Sequence, residues 1–432
     1  MKKKLVAMLM ATVMVASALT GCGSSDSGSA DGGTTTTDTE TEGAATGEVE
    51  AVSLKVWTPE NQRTNGTIES MAESFQELHP EYDITFTFEI IGEDVIKDEI
   101  LKDVASAADV FFYANDQMVE LVNAGALAKF GGTTLEMINT TMSEAVVGTV
   151  INPNDGDIYG IPFTHNTYFM YYDKSLLTEE DVKTVEGILD KDLGDGVTNF
   201  FLDSAGGWKL ASWYYGAGCT IYGESQMDLA AGCDWNQETG IAVTNYLIDM
   251  STNPKVAFDN GINPTELIGD NKLGAWFDGS WNYQTYKEVL GDDLGLAILP
   301  TYELNGTTNQ LKGFYGSKAI GVNTHASSLP VAVQFAAYLG GEEMQIQRFI
   351  ESGQVPTNQV AGEIEEVKAD SVADIIVQEA NIASVTQPLI AEFGSKYWTN
   401  IAAVVDEIKS GTLNKDNVQE KMDVFAATMA AE

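Results

Sequence analysis

Basic residues are scarce: 23 lysines and arginines stand against 64 aspartates and glutamates in 432 residues, a formal charge of −41. A nucleic-acid groove needs a basic track along the phosphates, and this surface would repel one. Arginine occurs only as Arg63 and Arg348. A ligand carrying carboxylate or phosphate is ordinarily met by a bidentate guanidinium, so anionic solutes are disfavoured. Arg348 falls in the helical pattern Met344 to Ile350 and is expected on a solvated face. Three histidines and three cysteines, widely scattered, exclude a zinc ribbon or an iron–sulfur motif, and no metal or cofactor is expected. The chain has no nucleophile-elbow serine, phosphate loop or dinucleotide fingerprint, so no catalytic residue is assigned. Asn152 to Asp157 lacks the alternating register and late glutamate of a calcium loop and reads as a tight hairpin turn.

What is present is the composition of a folded chain, with 44% hydrophobic residues and 41 glycines against 10 prolines. Its length exceeds the roughly 250–300 residues at which one core stops growing, which favours two lobes. Lys2, Lys3 and Lys4 precede the apolar run Leu5 to Ala18, the arrangement of an export signal. Leu19-Thr20-Gly21-Cys22 follows and resembles the bacterial lipobox, which implies a signal peptide over 1–21 and a lipid on Cys22. Residues 22–50 are almost devoid of apolar bulk and read as a flexible tether. The protein is therefore expected on the outer face of the cell membrane, held by its lipid alone. Cys219 and Cys233 remain, either bridged across a short loop or present as two thiols.

The rest alternates strand and helix. Ser53 to Trp57 reads as a strand, and Ile68, Met71, Ala72, Phe75 and Leu78 recur as one helical face that Pro80 ends. Ile84, Phe86, Phe88 and Ile90 alternate as a second strand, a helix spans Val95 to Ala105, and Asp109 to Tyr113 is a buried third strand. Such an order builds a mostly parallel α/β sheet with ligands beyond the carboxyl ends of its strands.

Several segments carry a family resemblance, in order and spacing. They are Ala108 to Gln117 with Ala124-Gly125-Ala126-Leu127, then Tyr159-Gly160-Ile161-Pro162, Met170 to Lys174, Ala275 to Trp281 and Gly295 to Pro300. From Leu54 to the C-terminus the chain resembles the extracellular solute-binding proteins of ABC importers, in the maltose-binding-protein-like cluster. The resemblance implies a two-lobed, periplasmic-binding-protein-like (type II) α/β fold with a ligand cleft between the lobes. Lobe 1 would comprise 51–161 plus 317–362 and lobe 2 would comprise 162–316 plus 363–432, with hinges near Pro162 to Asn166, near Gly313 to Gly316 and after Pro356. It also implies a monomer that hands its ligand to membrane permease subunits.

The aromatic and amide inventory points to a sugar without the family. A sugar ring packs its C–H face on an aromatic plane and offers hydroxyls to carboxylates and amides. Four clusters have that composition: Trp57 with Glu60-Asn61-Gln62, Tyr113 with Asn115-Asp116-Gln117, Asp278 with Trp281-Asn282-Tyr283, and Tyr397-Trp398-Thr399-Asn400. The resemblance places Tyr113, Asp116, Trp281 and Trp398 at the cleft, with Asn166, Tyr168 and Trp208 beside them. The candidate ligand set is thus Glu60, Asn61, Gln62, Tyr113, Asn115, Asp116, Asn166, Tyr168, Trp208, Trp281 and Trp398, with Trp281, Trp398 and Tyr168 as stacking faces. Trp57 and Trp276, inside strands, are expected in the core, and Asp116 could instead cap the helix that follows. The chain departs from the maltose type at Asn61-Gln62, Gln117 and Asn166, which leaves the sugar's identity open. A neutral oligosaccharide of the maltodextrin class is expected. The competing readings are an exported carbohydrate hydrolase and a binder of peptides or other small solutes.

Overall fold

The computed structural model describes residues 49–430 apart from 64–65, 203–206 and 259–263; the signal segment, Cys22 and most of the tether lie outside the described residues. Two sheets organise the chain. The first has the order β13-β12-β3-β1-β2, built from β1 (Glu50–Thr58), β2 (Tyr82–Ile90), β3 (Val110–Ala114), β12 (Gly313–Val322) and β13 (Ser384–Thr386), with β4 (Ile161–Asn166) also paired to β12. β1 runs parallel to both β2 and β3, so all three deliver their carboxyl ends to one edge. The second has the order β7-β6-β8-β5-β9: β5 (Tyr168–Asp173), β6 (Thr198–Leu202), β7 (Val256–Phe258), β8 (Leu273–Gly279) and β9 (Leu294–Ala297). A separate hairpin joins β10 (Thr301–Leu304) to β11 (Thr307–Gln310).

The patterns explain the elements. In the helix Thr67–Leu78, Ile68, Met71, Ala72 and Phe75 are buried at 3 and 4 spacing, while Leu78, the last of that face, is exposed at the helix end. The helix stops at His79, before Pro80, which disfavours helical backbone in the residue preceding it. β3 is buried on both faces, as a run of Val, Phe, Phe and Tyr demands of a strand held between two neighbours. Asn152 and Asp157 close a hairpin turn on the bridge between Ile151 and Ile158, with Gly156 at φ 77°.

The apolar core falls into separate clusters. One gathers β1, β3, β4, the helix Thr67–Leu78 and the helix Leu329–Leu339. Another gathers β5, β6, β8, the helix Glu238–Thr252 and the C-terminal helices Ala391–Ser410 and Val418–Met429. β4, β12 and Pro356 run side by side between them, since β4 pairs antiparallel with β12 and Thr164 bridges Pro356. Trp57 and Trp276 are buried as expected of strand residues. Cys219 and Cys233 are both free thiols, buried and half-buried, and burial pushes each up to about 12. Of the two alternatives, the structure has the thiols and not the bridge.

Arg348 is where the solvated-face expectation fails. It is 1% exposed, because its helix (Glu342–Ser352) turns the guanidinium inward to donate to Gln62 Oε1 at 2.7 Å and Leu339 O at 3.2 Å. Its charge lies 5.1 Å from the Phe163 ring, and burial lowers its pKa to about 9, leaving it cationic at neutral pH.

Candidate functional site

The carboxyl ends of the strands assemble a cleft of about 1060 Å³. This is at the upper end of the few hundred to 1000 Å³ typical of small-molecule sites, and large enough for several sugar rings. From the first sheet, β1 leads into the short helix Glu60–Arg63, β2 into Glu93 and Asp94, and β3 into the turn Asn115–Gln117. From the second, β8 leads into the turn Ser280–Asn282, and Trp208 follows β6. The helix Ala391–Ser410 closes the remaining side with Gly394, Ser395, Trp398 and Thr399. Gly394 allows this close approach, since a Cβ there would lie 2.4 Å from Glu120 Oε1.

Seven of the eleven candidate residues line the cleft: Glu60, Asn61, Asp116, Asn166, Trp208, Trp281 and Trp398. The other four do not, and each is held elsewhere by its own polar atoms. Gln62 is 1% exposed, accepting from Arg348 and donating to Gln354 Oε1 at 2.6 Å. Asn115 is fully buried and accepts from the Ser317 amide, with Gly316 leaving room for its side chain. Tyr113 is fully buried, its hydroxyl donating to Tyr159 O. Tyr168, expected as a stacking face, is also fully buried; its hydroxyl reaches Lys209 O at 3.3 Å, and its ring meets Trp208 edge-on at 4.7 Å. It supports Trp208 from behind. Tyr397 is likewise buried, its hydroxyl bonded to Gly207 O.

The indoles form the apolar wall. Trp281 is 40% exposed, the largest hydrophobic side chain left so open. Its ring stacks on that of Trp208 at 5.9 Å and 25°. Gly279 makes this pose possible: a Cβ there would sit 2.1 Å from the far edge of the Trp281 ring. The backbone of Gly279 has φ −87°, so alanine is tolerated conformationally and only the ring must move. Gly279→Ala is expected to fold with an unchanged melting temperature, and to weaken ligand binding measured by calorimetry by about tenfold, as a partly displaced aromatic anchor would. An unaltered dissociation constant would show that the ring pose does not matter.

The polar wall is acidic. Among the described residues, Glu60, Glu93, Asp94, Asp98, Asp116 and Glu120 line the cleft together with only two cations, Lys97 and Lys318. Both cations are engaged: Lys97 pairs with Glu120 at 2.9 Å, and Lys318 lies 3.4 Å from Glu93 and 5.0 Å over the Trp281 ring. Asp116 is pushed up to about 6, chiefly by burial, and accepts a hydrogen bond from the side chain of Trp398. The excess of carboxylate over free cation extends into the site the argument against anionic ligands. His165, near the cleft, is bonded to the Tyr315 hydroxyl at 2.9 Å, and burial lowers it to about 4, so it is neutral at physiological pH.

Sequence reasoning missed Glu93, Asp94, Lys97, Asp98, Glu120, Lys318 and Gln387. Glu93 and Asp94 were accessible through the rule that ligands sit beyond strand carboxyl ends, since they follow β2 directly. Lys318 was not, because it lies within β12, opposite Ala114 at the end of β3. Gln117 lines the cleft and also secures the missed residues: its side chain donates to Glu93 O at 2.6 Å and accepts from the Lys97 amide at 3.1 Å. Among the described residues, no group of His, Cys, Asp or Glu could hold a metal ion, and no helix is long and apolar enough to cross a membrane.

Known proteins share this architecture. A solved structure with acarbose is 38% identical, superposes with a TM-score of 0.82 and covers 87% of this chain and 98% of its own. The maltodextrin-binding protein of L. casei without ligand is 25% identical with a TM-score of 0.77, covering 88% of this chain and 100% of its own. The galactooligosaccharide-binding protein of Bacillus subtilis is 24% identical over 287 residues, 63% of this chain and 66% of that protein. A maltooligosaccharide ABC transporter solute-binding lipoprotein of Streptococcus pneumoniae is 23% identical over 401 residues, 88% of this chain and 86% of that protein. Residues 70–373 match the family model of the bacterial extracellular solute-binding proteins. The paired sheets, the cleft at their strand ends and this match over most of the chain agree: the protein belongs to the bacterial extracellular solute-binding protein family.

Proposed function

We propose that the protein captures a neutral oligosaccharide of the maltodextrin class in the cleft, by clamp closure and without chemical change, and presents it to the permease of an ABC importer. The observation that carries this is the pairing of three indoles, Trp208, Trp281 and Trp398, with a wall of carboxylates and amides in one cleft. Indole planes take the C–H faces of sugar rings, and acceptor-rich walls take their hydroxyls. The names of the relatives, oligosaccharide-binding proteins in each case, favour the same ligand. Lobe 1 is taken as 51–161 plus 317–362 and lobe 2 as 162–316 plus 363–432, swinging about β4, β12 and the segment after Pro356. A ligand that touches both lobes then shifts the population toward the closed form. The lipobox supports a lipid on Cys22 that holds a monomeric receptor on the outer face of the membrane.

Calorimetry of the lipid-free mature protein against maltotriose and longer maltodextrins tests the reading, with peptides as controls. Saturable binding of the sugars with no new reducing ends is expected. Heat only with peptides would overturn it, and release of reducing ends would replace it with a hydrolase.

The acidity of Asp116 supplies a pH signature. The ionised carboxylate can accept from the Trp398 side chain and from a sugar hydroxyl at once, so the ligand binds best to the charged form. Affinity should therefore be level only well above pH 6, and fall as pH drops through about 6. Asp116→Asn should flatten this profile; a variant that keeps the same decline would assign it to another group.

A further inference from the structure

The strand β12 aims one lysine out of the core of the first sheet and into the cleft. On either side of Lys318, Ser317 and Ala319 are fully buried, the one bonded to Thr149 Oγ1 and the other opposite Tyr113. Alternation along the strand turns Lys318 to the other face, opposite Ala114, which lines the cleft. The ladder to β4 slips at this point, Lys318 pairing with Thr164 but Ala319 with Pro162, and such bulges re-aim side chains beside binding sites. The side chain extends from the first sheet to the turn after β8, its Nζ 5.0 Å from the centre of the Trp281 ring.

The neighbours of this ammonium use its charge and none of its hydrogens. Glu93 Oε1, 3.4 Å away, is an ion partner without a hydrogen bond, and Trp281 offers only its π face. Lys97, by contrast, donates to Glu120 Oε1 at 2.9 Å. Within the Glu93 pair the carboxylate oxygen is the enclosed atom, whereas the Lys318 side chain keeps 14% of its exposure and its Nζ stays at the cleft surface. An ammonium carries three N–H donors, while the carboxylates around it can only accept. Lys318 is thus a charged donor beside the most open indole of the cleft, with no acceptor of its own among the described residues.

We propose that Lys318 is a ligand-binding residue whose ammonium donates to one hydroxyl oxygen of the pyranose unit lying against Trp281, so that the site selects a hydroxyl at that position over hydrogen or a protonated amine. The proposal rests on the saccharide reading of the cleft. A pyranose laid on an indole turns its C–H face to the ring and radiates its equatorial hydroxyls from the rim, toward a cation held at the same indole. Hydrogen in that position would leave the ammonium without an acceptor once the ligand has excluded water from it. An amine would set like charge against like.

The test is a calorimetric cycle of maltotriose and its monodeoxy analogues against the wild type, Lys318→Met and Lys318→Arg. The wild type should bind at least one analogue tenfold or more weakly, as expected when a charged donor loses its acceptor. Lys318→Met keeps the length of the side chain without its N–H groups. It should bind maltotriose at least tenfold more weakly and lose the penalty for that one analogue, while the penalties for the others persist. Lys318→Arg keeps the donors and should keep that penalty. Should the methionine variant fail to fold because Glu93 is left unpaired, Lys318→Met combined with Glu93→Gln removes that charge, and its penalties are then compared with those of Glu93→Gln alone. Unchanged affinity of a folded methionine variant for maltotriose, or a full set of penalties surviving in it, would overturn the contact and leave the saccharide reading standing. A wild type that binds no maltodextrin would remove the saccharide reading and the contact with it.

Discussion

Trp281→Ala should weaken maltotriose binding by about 2–3 kcal/mol, which is roughly 30- to 150-fold in dissociation constant. The size follows from where the ring stands. It is the most exposed indole of the cleft, stacked on Trp208, and Lys318 lies against one of its faces. A sugar that covers it would complete the desolvation of an aromatic anchor that is ordered before the ligand arrives. Preorganisation matters here because a ring already held by Gly279 and Trp208 loses little side-chain entropy on binding. The same exposure means that the ring contributes little to the core, so the melting temperature of the variant should hardly move. Calorimetry and a thermal scan together distinguish the two contributions. An unchanged dissociation constant would remove Trp281 from the site, and a large loss of stability would make it a core residue.

Arg348→Ala should act the opposite way, with a large effect on stability. The side chain is buried, and its removal leaves a cavity beside Phe163 and takes the charged donor from Gln62 Oε1 and Leu339 O. A loss of about 2–5 kcal/mol is expected from cavity formation and unmet acceptors. No carboxylate pairs with the guanidinium among the described residues, so its charge is offset only by amide, carbonyl and ring dipoles. Arg348→Met, which fills much of the space without a buried charge, should therefore be milder than alanine. The denaturant midpoint of each variant measures this. Alanine and methionine variants as stable as the parent would show that the guanidinium is dispensable to the fold. Arg348 also bears on the cleft at one remove, because Gln62 belongs to the short helix that presents Glu60 and Asn61.

The fold was legible where periodicity is strong. Alternation placed β2, the apolar run placed β3, and the 3 and 4 spacing of Ile68, Met71, Ala72 and Phe75 placed the helix between β1 and β2. The site was legible where residue type alone betrays exposure: Trp281 and Asp116 directly follow strands β8 and β3 and have chemistry suited to a ligand. Neighbouring residues of the same type were not separable, since whether Tyr113, Asn115 or Tyr168 faces the cleft or the core depends on the pleat and on partners distant in sequence. Asn115 turns inward to meet the Ser317 amide, 202 positions away, and nothing local announces it. Arg348 fails for the same reason, because its partner Gln62 lies 286 positions away. Lys318 completes a cleft that no local pattern would assign to it, through its register against Ala114.

The central claim is that two lobes close on an uncharged saccharide. Small-angle scattering of the lipid-free mature protein, recorded with and without maltotriose at a concentration shown by calorimetry to saturate it, tests this most directly. The account predicts a smaller radius of gyration in the presence of the sugar, reversed on dialysis. An identical curve with the sugar demonstrably bound would contradict it.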